Sequence, residues 1–406
     1  MKNIDTVIIN EEHKEVVQKT IYSILFSIAI AHMLNDLLQA VIPASYPILK
    51  EKYDLTFTQI GLITFSYQLA ASILQPFVGF YTDKKPKPYS KIFGMLFTLA
   101  GIVMLAYATS FGIILVSVIF VGIGSSIFHP EASRVSYLAS GGKRGLAQSI
   151  FQIGGNTGTA IGPLLIALIV VPNGQRHIIW FGIVGLLAII VLARIGRWYQ
   201  SHLDLTAKKK VAMVDLPNLT PRQITMSVVI LLVLIFSKYF YVAGISSYFT
   251  FYLIEKFNLS VQDAQFHLFL FLLSVAIGTL LGGPLGDKFG RKYVIWFSVL
   301  GVAPFTLLMP YANLFWTTVL SVIIGTIISS AFPAILVYAQ ELLPKKLGMI
   351  SGLFYGFAFG MGGLGAAVLG YMAEQTSIEY VYQICAFLPL IGIIAYFLPN
   401  LKKQKH

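Results

Sequence analysis

Long apolar segments follow one another along almost the whole chain, and each is about as long as a helix that crosses a membrane. Such a helix needs about 20 mostly apolar residues, and only helices and closed barrels cross the bilayer core, because no water is present there to bind the backbone. Only 11% of the residues are charged, whereas soluble domains carry about 25%. An all-α membrane protein is therefore predicted. Its twelve transmembrane helices are assigned to 21–47, 57–80, 89–108, 111–136, 145–171, 177–197, 223–254, 263–284, 292–311, 315–340, 347–373 and 377–398.

A short sequence motif near position 80 recurs in the second half of the chain. Gly79-Phe-Tyr-Thr-Asp83-Lys84 corresponds to Gly283-Pro-Leu-Gly-Asp287-Lys-Phe-Gly-Arg291. Asp83 and Asp287 are 204 positions apart in a chain of 406 residues, so the molecule is predicted to contain two pseudo-symmetric copies of one unit. The predicted organisation is an N-terminal six-helix domain at 1–198, a cytoplasmic linker at 199–221 and a C-terminal six-helix domain at 222–406. Parallel repeats of this kind are typical of membrane transporters.

Each copy of the motif joins the end of one apolar segment to the start of the next. Glycine permits a tight turn, aspartate can cap the start of a helix, and basic residues suit an anionic membrane surface. We predict that both loops are conformational switches that stabilise a closed arrangement of the cytoplasmic helix ends. The predicted switch residues are Gly79, Asp83, Lys84, Gly283, Asp287 and Arg291.

The net charge of +12 is distributed unevenly among the loops. With both termini placed on one side, most lysines and arginines fall on that side, and only Lys50, Lys52, Arg176 and Lys256 fall in loops on the other. This positive-inside bias predicts cytoplasmic termini. The basic surplus is explained by topology, so no nucleic-acid partner is expected. The first 20 residues have no apolar core and are not expected to be a cleavable signal peptide.

No motif of an enzyme, a cofactor site or a metal site is found in the sequence. The single cysteine, Cys385, cannot form an intrachain disulfide or a thiol cluster. The glycine-rich run at 360–365 follows no strand and lacks the lysine of a phosphate-binding loop. A nucleophile elbow and a His-Glu-x-x-His motif are also missing from the sequence. We therefore expect no cofactor, no metal and no enzymatic activity.

The first apolar segment carries a polar stripe. His32, Asn35, Asp36 and Gln39 are spaced as residues on one face of a helix, and that face must turn toward the protein interior, because lipid cannot satisfy it. Asp36 is predicted to carry the transported proton, since burial favours the neutral carboxyl. His32, Asn35 and Gln39 are predicted to contact substrate. The alternative is a hydrogen-bonded clamp between helices, with no functional role.

The fourth segment carries His129, Glu131 and Arg134. Ionisable groups in a membrane helix cost about 2.5–3.5 kcal/mol on insertion scales, so each is a candidate functional residue. Glu131 is predicted to exchange a proton together with His129, while Arg134 tunes it or holds an anion. The alternative is that Glu131 and Arg134, three residues apart, form an ion pair near the cytoplasmic end of the helix.

Lys238 lies about 15 positions into the seventh segment, near the middle of the bilayer at 1.5 Å per residue. A buried ammonium can attract an anionic substrate or neutralise a carboxylate such as Asp36. Lys238 and Tyr241, one turn further, are predicted substrate residues, as are Gln152 and Asn156 on a polar face of the fifth segment. The alternatives are a structural ion pair for Lys238 and helix–helix contacts for the amides.

Several longer strings resemble one group of known transporters. They are His-Met-Leu-Asn-Asp from His32, Ser-Ser-Ile-Phe-His-Pro-Glu-Ala-Ser-Arg from Ser125, Gln-Ser-Ile-Phe-Gln-Ile-Gly-Gly-Asn from Gln148, Phe-Ser-Lys-Tyr-Phe-Tyr from Phe236, and Gly-Leu-Phe-Tyr-Gly-Phe-Ala-Phe-Gly-Met-Gly-Gly from Gly352. Together with the repeated loop motif, they resemble the fosmidomycin resistance family of the major facilitator superfamily. The resemblance covers all but the first 20 residues and the linker. The resemblance implies export of small drugs, including the phosphonate antibiotic fosmidomycin, from bacteria, driven by the proton gradient. We expect a multi-pass monomer in the bacterial plasma (inner) membrane.

Two directions of transport remain open at this stage. Gly158-Thr-Ala-Ile-Gly162-Pro163 resembles the first part of the antiporter motif, although Leu164 and Leu165 depart from its usual glycines. This favours a proton-coupled antiporter whose two domains alternate access to a central site. The alternative is a proton-coupled symporter that imports a small anionic metabolite, and the fold alone does not distinguish the two.

Overall fold

The computed structural model describes residues 20–206, 219–343 and 346–401, and in these ranges it contains helices and turns but no strand. Eleven helical spans are long and apolar enough to cross a membrane, and one shorter apolar helix has 17 residues. They are α1 (Tyr22–Tyr53), α2 (Phe57–Lys84), α3 (Ser90–Ala106, the shorter helix), α4 (Phe111–Ala139), α5 (Arg144–Asn173), α6 (Gln175–Leu205), α7 (Pro221–Phe257), α8 (Val261–Gly286), α9 (Arg291–Tyr311), α10 (Leu314–Leu342), α11 (Gly348–Gln375) and α12 (Ile378–Phe397). The predicted all-α architecture of twelve helices is confirmed.

The internal repeat is visible in the backbone where α1 and α7 end. Asp54 and Asn258, which are 204 positions apart, both adopt left-handed conformations, with φ of 49° and 52°. Aspartate and asparagine tolerate this region better than most residues and end helices there. Two residues further on, Thr56 and Ser260 accept hydrogen bonds from backbone N–H groups in the first turns of α2 and α8. Each half therefore makes the same turn between its first two helices.

Several spans are irregular for identifiable reasons. α1 is interrupted at Ser45, between Pro43 and Pro47, because proline lacks the N–H that continues the hydrogen-bond ladder. α5 widens into a π-helical turn at Ile166–Val170, three residues after Pro163. These breaks leave the order and number of the spans unchanged.

α6 is longer than its apolar segment. The predicted segment ended at position 197, but α6 continues to Leu205, past the predicted start of the linker at 199. The ring of Trp198 stacks on that of His202 one turn later, at 5.2 Å between centroids, and such pairs support a helix outside the membrane. Hydropathy therefore marked where the chain becomes polar and not where the helix ends. Positions 207–218 of the predicted linker lie outside the described residues.

The two halves meet mainly along two helix pairs, α2 with α11 and α5 with α8. A Cβ atom on Gly79 in α2 would overlap the carbonyl group of Gly348 in α11, and one on Gly283 in α8 would overlap the side chain of Ser149 in α5. Glycine at such positions lets helix backbones approach closely. The two pairs are related by the internal repeat, so equivalent helices form equivalent contacts.

The halves touch at both ends of the α2–α11 pair. We call the end with the loops at 85–89 and 140–143 the basic end, and the end with the turns at 54–56 and 258–260 the opposite end. At the basic end, the Met349 N–H donates to Asp83 at 3.0 Å. At the opposite end, the Thr58 N–H and hydroxyl donate to the Glu374 carboxylate, the former at 3.0 Å. This helix pair is therefore closed at both ends.

Candidate functional site

Three titratable side chains of the first half form one cluster, which we call the triad: His32 and Asp36 on α1, and His129 on α4. The Nε2 atom of His32 lies 3.1 Å from Asp36 Oδ2, and Nε2 of His129 lies 3.6 Å from Asp36 Oδ1. The two Nε2 atoms are 3.3 Å apart. Both histidines are buried, and 16% of the Asp36 side chain is exposed. The sequence predicted these residues individually, and the structure brings them together.

The Nδ1 atoms of both histidines, which face away from Asp36, form hydrogen bonds with backbone carbonyl groups. Nδ1 of His32 lies 2.7 Å from the Phe151 oxygen, and Nδ1 of His129 lies 3.0 Å from the Ser125 oxygen. A carbonyl oxygen only accepts hydrogen bonds, so both Nδ1 atoms carry a proton. In a neutral imidazole the other nitrogen then has a lone pair and no proton. Both lone pairs point toward a carboxylate, and this arrangement is stable when a cation, such as a further proton, lies between them.

Two amides hold the carboxylate of Asp36. Oδ1 accepts hydrogen bonds from Asn35 Nδ2 at 2.9 Å and from Gln39 Nε2 at 3.2 Å. The Tyr67 hydroxyl on α2 donates in turn to Gln39 Oε1. Asn35 and Gln39, which were predicted to contact substrate, therefore orient Asp36 in this structure. Their contact with substrate stays a prediction.

α5 forms the wall behind the triad. The Phe151 ring stacks on the His32 ring with 4.0 Å between centroids. A Cβ atom on Gly155, one turn further along α5, would overlap both His32 Nε2 and Asp36 Oδ2. The glycine thus lets the backbone of α5 lie directly against the triad.

Tyr355 of α11 connects the triad to the contact between the halves. Its ring centroid lies 5.4 Å from that of His129. Its hydroxyl donates to Gln152 Oε1 at 2.7 Å and accepts from Gln148 Nε2 at 2.9 Å, both on α5. The predicted substrate residue Gln152 is therefore part of a contact between the two halves. Asn156, one turn on, makes a second such contact by donating to Thr279 Oγ1 of α8 at 2.6 Å.

Lys238 is buried among aromatic rings. Its Nζ lies 5.4 Å from the ring centroid of Tyr239 and 5.5 Å from that of Phe332, distances at which a cation is attracted to a ring face. Within the described ranges, no carboxylate oxygen lies within 4.0 Å of this nitrogen. The Phe332 ring contacts that of Tyr355 at 5.1 Å, so rings lead from Lys238 toward His129. The suggested direct pairing of Lys238 with Asp36 is not formed in this conformation.

Tyr241, one turn after Lys238 on α7, packs against α12. It is buried in the second half and lines a small void together with Tyr382 and Cys385 of α12. Its contact with substrate stays a prediction.

Glu131 and Arg134 lie toward the basic end of α4. Glu131 is fully buried, with Oε1 3.6 Å from Arg134 Nη1. Arg134 Nη2 lies 2.5 Å from Asp83 Oδ1, and Asp83 also accepts from the Met349 N–H. We call Asp83, Arg134 and Met349 the basic-end latch. This position favours the interpretation of Arg134 as an ion-pair partner. Arg134 belongs to the contact that closes the two halves and is separate from the triad.

The other predicted switch residues occupy different surroundings. Lys84 is exposed, with Nζ 4.1 Å from the ring centroid of Phe80. Arg291 forms an ion pair with Glu341 within the second half. The side chain of Asp287 lies outside the described residues. The two halves therefore share the repeated motif in sequence, whereas the described ion pairs of the two loops differ.

Sequence reasoning did not single out Tyr355, Phe332 or Thr279, which connect the two halves or surround Lys238. The chain contains 21 tyrosines and 30 phenylalanines, so an aromatic residue type alone carries little information. The one signal was position: Tyr355 lies in the distinctive string from Gly352, and Phe332 is 204 positions after Phe128.

Comparisons with known sequences and solved structures agree with this fold. A sequence model of the Major Facilitator Superfamily matches residues 28–261 and 231–406. The chain is 60% identical over 382 residues, 94% of each chain, to the fosmidomycin resistance protein of Escherichia coli strain K12. It is 46% identical over 390 residues, 95% of each chain, to YfnC, an uncharacterized MFS-type transporter of Bacillus subtilis strain 168. Its fold is similar to that of the transporter FucP in the outward conformation, with a TM-score of 0.65, 16% identity, and coverage of 93% of this chain and 98% of that one.

Proposed function

The chain belongs to the major facilitator superfamily of membrane transporters, which are not enzymes, and from this premise we propose that it is a proton-coupled antiporter that exports small drugs. Fosmidomycin is the first proposed substrate, because the relative with 60% identity is named for resistance to it. We place the transporter in the bacterial inner membrane, as a monomer with both termini in the cytoplasm. The basic loops on one side support that orientation.

Lys238 is the proposed anion site. A phosphonate is anionic, and Lys238 is a buried cation that is held by rings and has no carboxylate within 4.0 Å in the described chain. A buried charge without an ionic partner is costly, so binding of an anion there is favourable. The aromatic rings beside it offer apolar surface to the rest of a drug molecule.

The observation that carries the coupling proposal is the position of Tyr355. Its ring contacts His129 of the triad, and its hydroxyl joins the halves through Gln148 and Gln152. A change in charge on the triad therefore acts on a residue that holds the halves together. When the triad loses its proton, Asp36 becomes an anion that attracts Lys238. Asp36 and the substrate then compete for one cation, so proton release favours substrate release.

The contacts at the two ends support the proposal of alternating access. The basic-end latch and the contact between Thr58 and Glu374 both join α2 to α11. Opening toward one side requires one of these contacts to break while the other holds. Glu131 is a second candidate proton carrier, and its distance of 3.6 Å from Arg134 suggests that its charge influences the latch.

The test is transport in proteoliposomes with an imposed pH gradient. Purified protein is reconstituted, fosmidomycin movement and internal pH are followed together, and the gradient is applied in either direction. The proposal requires drug and protons to move in opposite directions, with the drug flux reversing when the gradient reverses. Movement of both in the same direction would establish the symporter instead, and drug movement without proton movement would exclude coupling.

A further inference from the structure

We propose that the triad of His32, Asp36 and His129 is also a binding site for a divalent transition metal, with Zn²⁺ as the best match. The three residues offer ligand atoms that all lie within 4.8 Å of one another. Metal binding to the purified protein is independent of the proposed transport function, and only its effect on transport rests on that function.

The distances fit a tetrahedral ion. Zn²⁺ binds histidine nitrogen at about 2.0–2.1 Å and carboxylate oxygen at about 2.0–2.2 Å, which places neighbouring ligand atoms about 3.3 Å apart. The observed separations are 3.3 Å between the two Nε2 atoms, 3.1 Å between His32 Nε2 and Asp36 Oδ2, and 3.6 Å between His129 Nε2 and Asp36 Oδ1. Small side-chain movements suffice to bring all three onto one ion, and a fourth position remains for water.

The hydrogen bonds around the triad are those that metal ligands require. Histidine ligands commonly donate their outer N–H to a carbonyl group, which directs the other nitrogen to the metal. His32 and His129 do so, toward Phe151 and Ser125. The carboxylate is fixed as well, because its Oδ1 accepts from two amides on α1, while Oδ2 faces His32 and Oδ1 lies nearer His129. All three ligands are therefore oriented before any metal arrives.

The ligand types select the metal. Two imidazoles and one carboxylate suit Zn²⁺ and related transition ions, whereas Mg²⁺ and Ca²⁺ prefer oxygen ligands alone. No thiolate takes part, since Cys385 lies in the second half beside Tyr241. Two lone pairs and one negative charge converge at this point, so a proton or a metal ion is stabilised between them.

A bound metal occupies the place of the exchanged proton. Zn²⁺ between the Nε2 atoms and Asp36 prevents protonation of the same atoms, and it cannot leave with each transport cycle as a proton does. If the triad couples transport, Zn²⁺ is therefore an inhibitor that acts at the coupling site, at a distance from Lys238.

The experiment measures metal binding directly. The full chain, purified without a histidine tag in a non-chelating buffer, is titrated with Zn²⁺ by calorimetry and with Co²⁺ by visible absorption, which reports tetrahedral coordination. We expect one ion per chain and a loss of affinity of about tenfold or more in His32→Gln, His129→Gln and Asp36→Asn. His267→Gln is the matched control, because His267 bonds to Thr318 on α10, away from the triad.

The outcomes separate the two proposals. Absence of stoichiometric binding, or binding that the three triad variants retain, overturns the metal site. Binding that depends on the triad, together with Zn²⁺ inhibition of wild-type transport, supports both proposals. Binding that depends on the triad without any effect on transport supports the metal site and contradicts the role of the triad in coupling. Retained folding of each variant is checked by its thermal unfolding midpoint.

Discussion

The hydroxyl of Tyr355 in the second half donates a 2.7 Å hydrogen bond to Gln152 in the first half, while the Tyr355 ring lies 5.4 Å from the ring of His129. One side chain thus contacts both the candidate proton site and the opposite domain. A phenol suits this role, because its ring packs on apolar and aromatic neighbours and its hydroxyl forms directional bonds.

Tyr355→Phe is expected to weaken coupling with only a small loss of stability. The ring contact remains, and the lost neutral hydrogen bonds cost about 0.5–1.5 kcal/mol each. We expect drug flux per proton to fall while fosmidomycin binding remains within a few-fold of wild type. Simultaneous drug and proton fluxes in proteoliposomes check this. The exposed Tyr380→Phe is the control, and unchanged stoichiometry in Tyr355→Phe would contradict the role of Tyr355.

Asp36→Asn is expected to abolish proton-driven export in a folded protein. The amide keeps the shape of the side chain but cannot exchange a proton, and exchange of drug across the membrane without net proton movement should survive. Glu131→Gln is the parallel variant. If only one of the two variants loses proton-driven export, that residue is the carrier and the other is structural. Normal gradient-driven export by both variants would defeat the coupling proposal.

Lys238→Met is expected to lose binding of anionic drugs. Hydrogen bonds to charged groups contribute about 1.5–3 kcal/mol, which corresponds to roughly tenfold to hundredfold in affinity. Lys238→Arg keeps the charge with a different geometry and should retain partial transport. Lys256→Met, on the same helix but near the opposite end, is the control. Calorimetric titration with fosmidomycin measures the affinities, and undiminished affinity of Lys238→Met would rule out Lys238 as the anion site.

Asp83→Asn is expected to slow turnover without changing substrate affinity. The change removes the ion pair with Arg134 but leaves an oxygen that can accept from the Met349 N–H, so the basic-end latch is weakened and not removed. Comparison of the transport rate with equilibrium fosmidomycin binding separates the two effects. Asp204→Asn, at the exposed end of α6, should behave as wild type. A large loss of affinity with normal turnover would show that Asp83 serves the substrate site instead.

Gly155→Ala is expected to disturb the triad by steric overlap. The added Cβ overlaps His32 and Asp36, and overpacking of a well-packed interior costs about 1–3 kcal/mol. We expect a lower thermal unfolding midpoint and loss of proton-driven export. Gly112→Ala is the control, because the nearest atom to its Cβ would be 4.0 Å away. Equal unfolding midpoints for both variants would show that α5 can move away from the triad without cost.

Much of the fold was predictable because the membrane restricts it so strongly. Apolar segments and the offset of 204 residues predicted the helices and their duplication, and Asp54 and Asn258 confirm the repeat in the backbone. The predicted end of α6 was wrong, because hydropathy reports the boundary of the apolar layer. Pairs of side chains at i,i+4, such as Trp198 and His202, extend the helix beyond that boundary.

The candidate site was predictable only in part. Spacing on α1 placed His32 and Asp36 on one face, since helical periodicity is a local property. Their meeting with His129 depends on the packing of α1, α4 and α5, and the contact of Lys238 with the Phe332 ring depends on α10. The spacing of residues within one helix does not determine which side chains of other helices lie beside it. For the same reason, Tyr241 faces α12 although it lies close to Lys238 in the sequence.

The glycine contacts along α2 and α11 also restrict how the substrate range of this protein can change. Gly79 and Gly352 leave no space for a larger side chain without separating the helices, because a Cβ atom on either would overlap backbone of the other helix. Substitutions there therefore affect every substrate alike. The rings of Tyr239 and Phe332 lie beside Lys238, and exchanges at these positions alter the space beside the cation. We expect variants selected for a new drug to accumulate changes at these aromatic positions and to retain the glycines.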